Sequence, residues 1–164
     1  MRLTLTALTF ASLALAAPVL AQDAPTGDAA AGERIFAKCQ TCHVIADADG
    51  NVLGGRNAKT GPNLYGLPGR AAGAYAGFNG YGDDLVALGT NGFVWTEADF
   101  VAYVANPAAF LKEKVANNAR SKMSFRLTNE KEALDVWAYI ASLSPAAEAA
   151  PADGAAPAEG TATN

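Results

Sequence analysis

Histidine occurs once in this 164-residue chain, at position 43, and cysteine only twice, at 39 and 42. That scarcity excludes a good deal. A structural zinc site is four-coordinate and built mostly from Cys and His, which three adjacent residues cannot supply. A thioredoxin-like thiol pair belongs in a βαβ setting, and strand signal of any kind is sparse here. A disulfide across Cys39 and Cys42 is chemically open but leaves His43 without a role. Long apolar runs are equally scarce. Leu3 to Ala17 is the one extended stretch; it is threonine-rich and falls short of the about 20 residues a membrane span needs, so no transmembrane anchor is expected.

That apolar stretch follows the basic start Met1-Arg2 and leads into Pro18-Val19-Leu20-Ala21. The order reads as a secretory leader, residues 1–21, cut after Ala21, and places the mature protein in the periplasm. At the other end, residues 145–164 are mostly Ala, Pro, Gly and Glu with no large apolar side chain. Such a segment cannot bury enough surface to offset its ordering entropy, so a disordered acidic tail is expected. Gln22 to Thr26 has a similar composition. One domain, residues 22–144, remains, packed over roughly Gly27 to Ser144. In so small a body a large apolar cofactor would form a substantial part of the core.

The two cysteines and the histidine are arranged as Cys39-Gln40-Thr41-Cys42-His43. C-x-x-C-H is the attachment signature of c-type haem, with two thiols forming thioethers to the porphyrin and the neighbouring imidazole ligating iron. On a helical turn, residues three apart share a face. Both sulfurs can then reach one porphyrin edge while the next residue points at the metal. Attachment of such a group outside the cytoplasm agrees with the leader. For six-coordinate iron, the second axial ligand must come from Met123, a lysine or something rarer, because the mature chain holds no other methionine and no second histidine. Met123 lies in the polar stretch Ser121-Lys122-Met123-Ser124-Phe125, on no apolar helical face. That weakens its alternative use as core filler.

The secondary-structure pattern is helical, with long loops. Asp28 is placed to cap a helix carrying Gly32, Ile35 and Phe36 on one face. Thr96 caps Glu97 to Ala105, which Asn106-Pro107 should stop. Asn129 with Glu132 resembles a capping box opening a last helix whose Val136, Tyr139, Ile140 and Leu143 follow helical spacing. A short helix fits Asp83 to Leu88. The Gly- and Pro-rich run 54–80 reads as turns.

Charge is unevenly spread. Without Arg2 the chain holds 11 bases against 16 acids, and five of those acids lie at the two ends. The body is nearly neutral, yet Lys112, Lys114, Arg120, Lys122 and Arg126 face a single acid, Glu113. That makes either a basic docking patch or a solvated loop. Nothing in the pattern points to nucleic acid.

Several motifs, in order along the mature body, resemble class I c-type cytochromes, the small bacterial cytochrome c-550 and larger c2-type carriers. They are Gly32-x-x-x-Phe36 before the Cys motif, Lys59-Thr60-Gly61-Pro62-Asn63-Leu64-Tyr65-Gly66, Gly69-Arg70 and Trp95-Thr96-Glu97. Tyr103 with Asn106-Pro107, Lys122-Met123-Ser124-Phe125 and the final aromatic helix complete the set. The resemblance implies an all-α cytochrome c fold, about four to five short helices and long loops wrapped around one covalently bound haem c. It implies covalent attachment at Cys39 and Cys42, axial ligation by His43 and Met123, and a bond from the His43 ring to the Pro62 carbonyl. Arg70 and Trp95 would meet propionates, joined by Tyr81 or the Gly80 backbone, where Gly77-Phe78-Asn79-Gly80-Tyr81 holds an extra residue. Tyr103 would lie near the Met123 sulfur, Phe125 would cover the haem edge, and Gly32 and Phe36 would pack against Val136 and Tyr139. Insertions over Ala46 to Asn57 and Lys112 to Ser121 would enlarge the loops.

The function implied is that of a monomeric one-electron carrier, not an enzyme. It would run from a quinol-oxidising cytochrome complex to a terminal oxidase, peroxidase or photosynthetic reaction centre, docking through Lys112, Lys114 and Lys122. The alternatives are a dedicated haem subunit of a periplasmic dehydrogenase and a ligand-binding haem sensor.

Overall fold

The computed structural model describes residues 24–145. The expected leader and the tail beyond Pro145 lie outside them. Five α-helices are present among the described residues: α1 (Ala29–Ile35), α2 (Asp83–Thr90), α3 (Glu97–Ala105), α4 (Pro107–Lys114) and α5 (Glu130–Leu143). A 3-10 turn, Phe36–Lys38, extends α1, and two short strands, β1 (Val44–Ala46) and β2 (Val52–Gly55), form an antiparallel hairpin.

The helix starts follow from their caps. Asp28 accepts the amides of Ala30 and Ala31 at 2.8 and 3.1 Å. Thr96 Oγ1 accepts the Asp99 amide at 3.2 Å, and Asn129 accepts that of Glu132 at 3.2 Å. The reciprocal half of the capping box is not made. The Glu132 carboxylate instead meets Lys38 Nζ at 2.6 Å, tying α5 to the turn before the Cys motif.

Two elements differ from the sequence expectation. Asn106-Pro107 stops α3, but it also starts α4. Asn106 Oδ1 accepts the Ala109 amide at 3.2 Å and Pro107 sits in the first turn, where its missing N–H costs nothing and its fixed φ suits a helix. Lys112 and Lys114 therefore ride on the last turn of a helix, not in an enlarged loop. The second difference is the hairpin over part of Ala46 to Asn57, a region read as loop. Asp47 builds its turn, accepting the amides of Asp49 and Asn51 at 3.0 and 2.8 Å, and Gly50 takes the left-handed φ of 85°. Two glycines at the end of β2, opposite Val44 and Ile45, hide a strand whose side chains would otherwise announce it.

The main crossing joins α1 to α5. A Cβ at Gly32 would collide with the Asp135 carbonyl, and one at Gly27 with the backbone of Leu134, so only glycine lets the chains approach this closely. Phe36 packs against Tyr139 at 5.5 Å between ring centres, the rings tilted by 58°. The gain from burying Phe36 is about 1.5–3 kcal/mol. Between the helices the Asp135 carboxylate, 3% exposed as a residue, accepts the Asp28 amide at 2.8 Å and Lys131 Nζ at 2.8 Å. The Lys131 bond and then the Asp28 amide hold that carboxyl below the usual carboxylate range. α3 packs on the same helix, with Phe100 against Trp137 at 5.3 Å.

Candidate functional site

Backbone bonds wind Phe36 to His43 into successive tight turns. Cys39 and Gln40 donate to the Phe36 carbonyl at 2.8 and 3.0 Å, and Cys42 and His43 donate to that of Cys39 at 3.1 and 3.0 Å. The three reactive side chains of the motif are thereby brought to one wall of a cavity of about 510 Å³, well within the size of cofactor sites. Both thiols are free, with no disulfide between them. Burial pushes the Cys39 thiol up to about 11, with Lys38 pulling the other way, so that sulfur is neutral.

The Gly61 to Leu64 segment straps this turn from outside. The Gly61 amide donates to the Cys42 carbonyl at 2.7 Å and the Leu64 amide to that of Val44 at 2.8 Å. His43 Nδ1 lies 2.9 Å from the Pro62 carbonyl. A carbonyl only accepts, so Nδ1 carries the proton. Burial lowers the pKa of the ring, opposed by that bond, and a neutral imidazole protonated at Nδ1 keeps its Nε2 lone pair free. A Cβ at Gly61 would stand 2.5 Å from His43 Cε1. Asn63 fastens the far end of the strap, accepting the Ala46 and Tyr65 amides at 3.0 Å each and donating to the Ala46 carbonyl at 2.7 Å.

Met123 is brought to the same cavity from the segment after α4, and its side chain packs on the core. Ser121 holds it there: Ser121 Oγ donates to the Met123 carbonyl at 3.1 Å and accepts the Met123 amide at 3.1 Å. That uses the single hydroxyl proton of Ser121, so Tyr103 Oη, 3.3 Å away, is the donor in their pair. Burial raises the Tyr103 pKa, with the Ser121 bond opposing, so Tyr103 keeps its proton. Its hydroxyl bond goes to Ser121, and the tie to Met123 runs through that serine. Spacing alone did not single out Ser121, although a serine two residues before a methionine in a polar loop is a local turn signal.

Arg70, Tyr81, Trp95 and Phe125 also line the cavity, as does Gly80. Arg70 donates from Nη1 to the Tyr65 carbonyl at 3.0 Å and from Nη2 to the Asn63 carbonyl at 2.9 Å, and stands over the Tyr75 ring at 5.3 Å. Burial works against its charge, with Tyr81 and Tyr75 acting in the opposite sense. No carboxylate among the described residues pairs with it. Trp95 is wedged among Tyr103 at 5.1 Å, Phe93 at 5.4 Å and Phe110 of α4 at 6.2 Å, so the helix missing from the sequence reading backs this wall. Tyr81 meets Phe78 edge-on at 4.9 Å, while Phe125 stays 40% exposed.

The basic patch divides. Lys122 lines the cavity, with Arg120 and also Lys38, which the sequence reading left out. Lys112 and Lys114 do not. Lys114 Nζ lies 3.7 Å from Asp99 Oδ1 and over the Phe110 ring at 5.6 Å.

Two free thiols on a helical turn, a neutral imidazole, a thioether, apolar walls and an unpaired guanidinium form a donor set that fits a covalently bound haem with acidic substituents. No family model matches the chain, but curated relatives do. Cytochrome c2 of Fuscovulum blasticum is 58% identical over 130 residues, 79% of this chain and 82% of that protein. Cytochrome c2 of Rhodobacter capsulatus is 51% identical over 144 residues, 87% of this chain and 98% of that protein.

The chain belongs to the cytochrome c2 family.

A solved cytochrome c2 structure, from Rhodobacter sphaeroides, matches it with a TM-score of 0.68 at 49% identity, covering 71% of this chain and 95% of that one. The fold is thus the cytochrome c fold of class I. As a cytochrome c2 the protein carries covalently bound haem c and is an electron carrier rather than an enzyme.

Proposed function

We propose that this cytochrome c2 is a periplasmic shuttle with His43 and Met123 as axial ligands, moving single electrons from a quinol-oxidising cytochrome complex to a terminal oxidase, peroxidase or reaction centre. The observation that carries the reading is the meeting of Met123 with Cys39, Cys42 and His43 in one apolar cavity. Haem c, when bound, supplies a reversible one-electron couple at iron.

The chain's own residues set the terms of that couple. Cys39 and Cys42 hold the group covalently. The Pro62 carbonyl fixes the imidazole tautomer and orientation, a contact that also raises ligand basicity. Met123, positioned by Ser121, would supply the second iron ligand, a thioether of the kind that raises the reduction potential. Arg70 and Trp95 supply donors for the propionates, the guanidinium gaining the anionic partner a half-buried cation needs. Aromatic and aliphatic walls exclude water. With His43 and Met123 both as ligands, the protein would leave substrate no position on the metal.

Lys122, Arg120 and Lys38, which line the cavity, are placed to orient an acidic partner and speed its approach. Lys112 and Lys114, on the last turn of α4, stand away from that cavity and contribute less. The leader-like residues 1–21 support export, and no helix among the described residues is long and apolar enough to cross a membrane.

Absorption spectra of the oxidised and reduced mature protein, followed by CO addition to the reduced form, test the reading. A c-type spectrum with the weak red band of sulfur bound to ferric iron, and no response to CO, is the expected result. Prompt CO binding or a missing sulfur band would instead indicate an exchangeable site and a ligand sensor.

A further inference from the structure

The segment that carries Met123 is held from outside at few points. The Leu127 amide donates to the Val104 carbonyl at 2.8 Å on the far side of the methionine. On the near side the Arg120 amide donates to Asp84 Oδ2 at 2.8 Å. Between those two amides only that of Met123 finds a protein acceptor among the described residues, and its acceptor, Ser121, belongs to the same segment. Tyr103 adds one neutral bond to Ser121.

We propose that Asp84 is a positioning residue for the axial methionine: its carboxylate latches the segment at Arg120 and thereby keeps Met123 on iron as the protein cycles between oxidation states. The inference rests on the His43/Met123 reading above. Asp84 sits in the first turn of α2, after Gly82, which offers no side-chain cap. A carboxylate there is favoured by the helix dipole, so the latch is anchored in a regular element and not in another loop. The two stretches lie side by side: a Cβ on Gly82 would stand in ordinary contact with Lys122 Cγ at 3.6 Å and the Arg120 carbonyl at 3.8 Å. The bond is charge-assisted, a stronger class than the neutral bonds of Tyr103 and Ser121. It also reaches the Arg120 backbone, so the Arg120 side chain is dispensable for it. Asp84 touches neither ligand nor cofactor cavity and acts only through the segment.

The experiment measures the rate at which imidazole replaces the methionine in the purified ferric protein, together with the sulfur–iron band and the denaturant midpoint. Asp84→Ala should raise the replacement rate about tenfold and weaken the band, with little change in the midpoint. Asp84→Asn, whose amide oxygen still accepts the Arg120 N–H, should fall between wild type and the alanine variant. Asp83→Ala should stay within about twofold of wild type, since it leaves that bond in place.

An Asp84→Ala rate no faster than that of Asp83→Ala overturns the latch. So does an asparagine variant at or above the alanine one. A wild-type protein without the sulfur band would instead remove the ligand reading itself, and the latch with it.

Discussion

The two walls of this cytochrome are built differently. The wall that bears Cys39, Cys42 and His43 grows out of the α1–α5 crossing, where two glycines bring backbones into contact, Asp135 joins the helices through a buried carboxylate, and Lys38 pairs with Glu132. The wall that bears Met123 is a stretch of irregular chain pinned at Asp84, Tyr103 and Val104. One half is covalent chemistry on a packed foundation. The other carries the proposed thioether ligand, Met123, on a few hydrogen bonds. Stability therefore resides mainly in the first region, and on the proposed ligation retention of Met123 can be altered in the second with little effect on the fold.

The comparison breaks most visibly at Gly32. Gly32→Val would force α1 away from the Asp135 carbonyl and cost about 3 kcal/mol, read as a lowered denaturant midpoint with early loss of the whole fold. A change at Asp135 should be smaller and pH-dependent. Its folded carboxyl titrates below the usual range because Lys131 and the Asp28 amide favour the charged form, so its contribution is present above the unfolded pKa and disappears as pH falls through the folded one. Lys131 and Arg34 are the cations near it, and Asp28 reaches it through its amide. Asp135→Asn should lower the midpoint at neutral pH and remove part of the acid dependence between those two pKa values, as pH-resolved denaturation would show. The smallest change is expected in the other wall. Tyr103→Phe removes one neutral bond, about 1 kcal/mol at most; it should weaken the sulfur–iron band while leaving the unfolding midpoint nearly unchanged. A Tyr103→Phe protein that lost global stability as Gly32→Val does would abolish the distinction between the walls.

The two regions also differed in how far sequence disclosed them. Cys39, Cys42 and His43 stand side by side, and Asp28, Thr96 and Asn129 each announce a helix within a few residues, so local chemistry was enough. The fold class and caps came through for that reason. What escaped was ambiguous punctuation or long-range pairing. Asn106-Pro107 ends one helix and begins another with the same residues. Gly54 and Gly55 look like loop but complete a hairpin. Asp84 and Arg120 are 36 positions apart, with nothing in either neighbourhood to name the other. The split of the basic patch was hidden too, because Lys112 and Lys114 sit on the helix the pattern missed.

The tie between Asp28 and Asp135 spans 107 positions of sequence. A chain emerging N-terminus first cannot close that loop until nearly all of the domain is available, and contacts of such separation form slowly. The attachment motif, which directly follows α1 and its 3-10 extension, thus belongs to a crossing that only the completed domain can close.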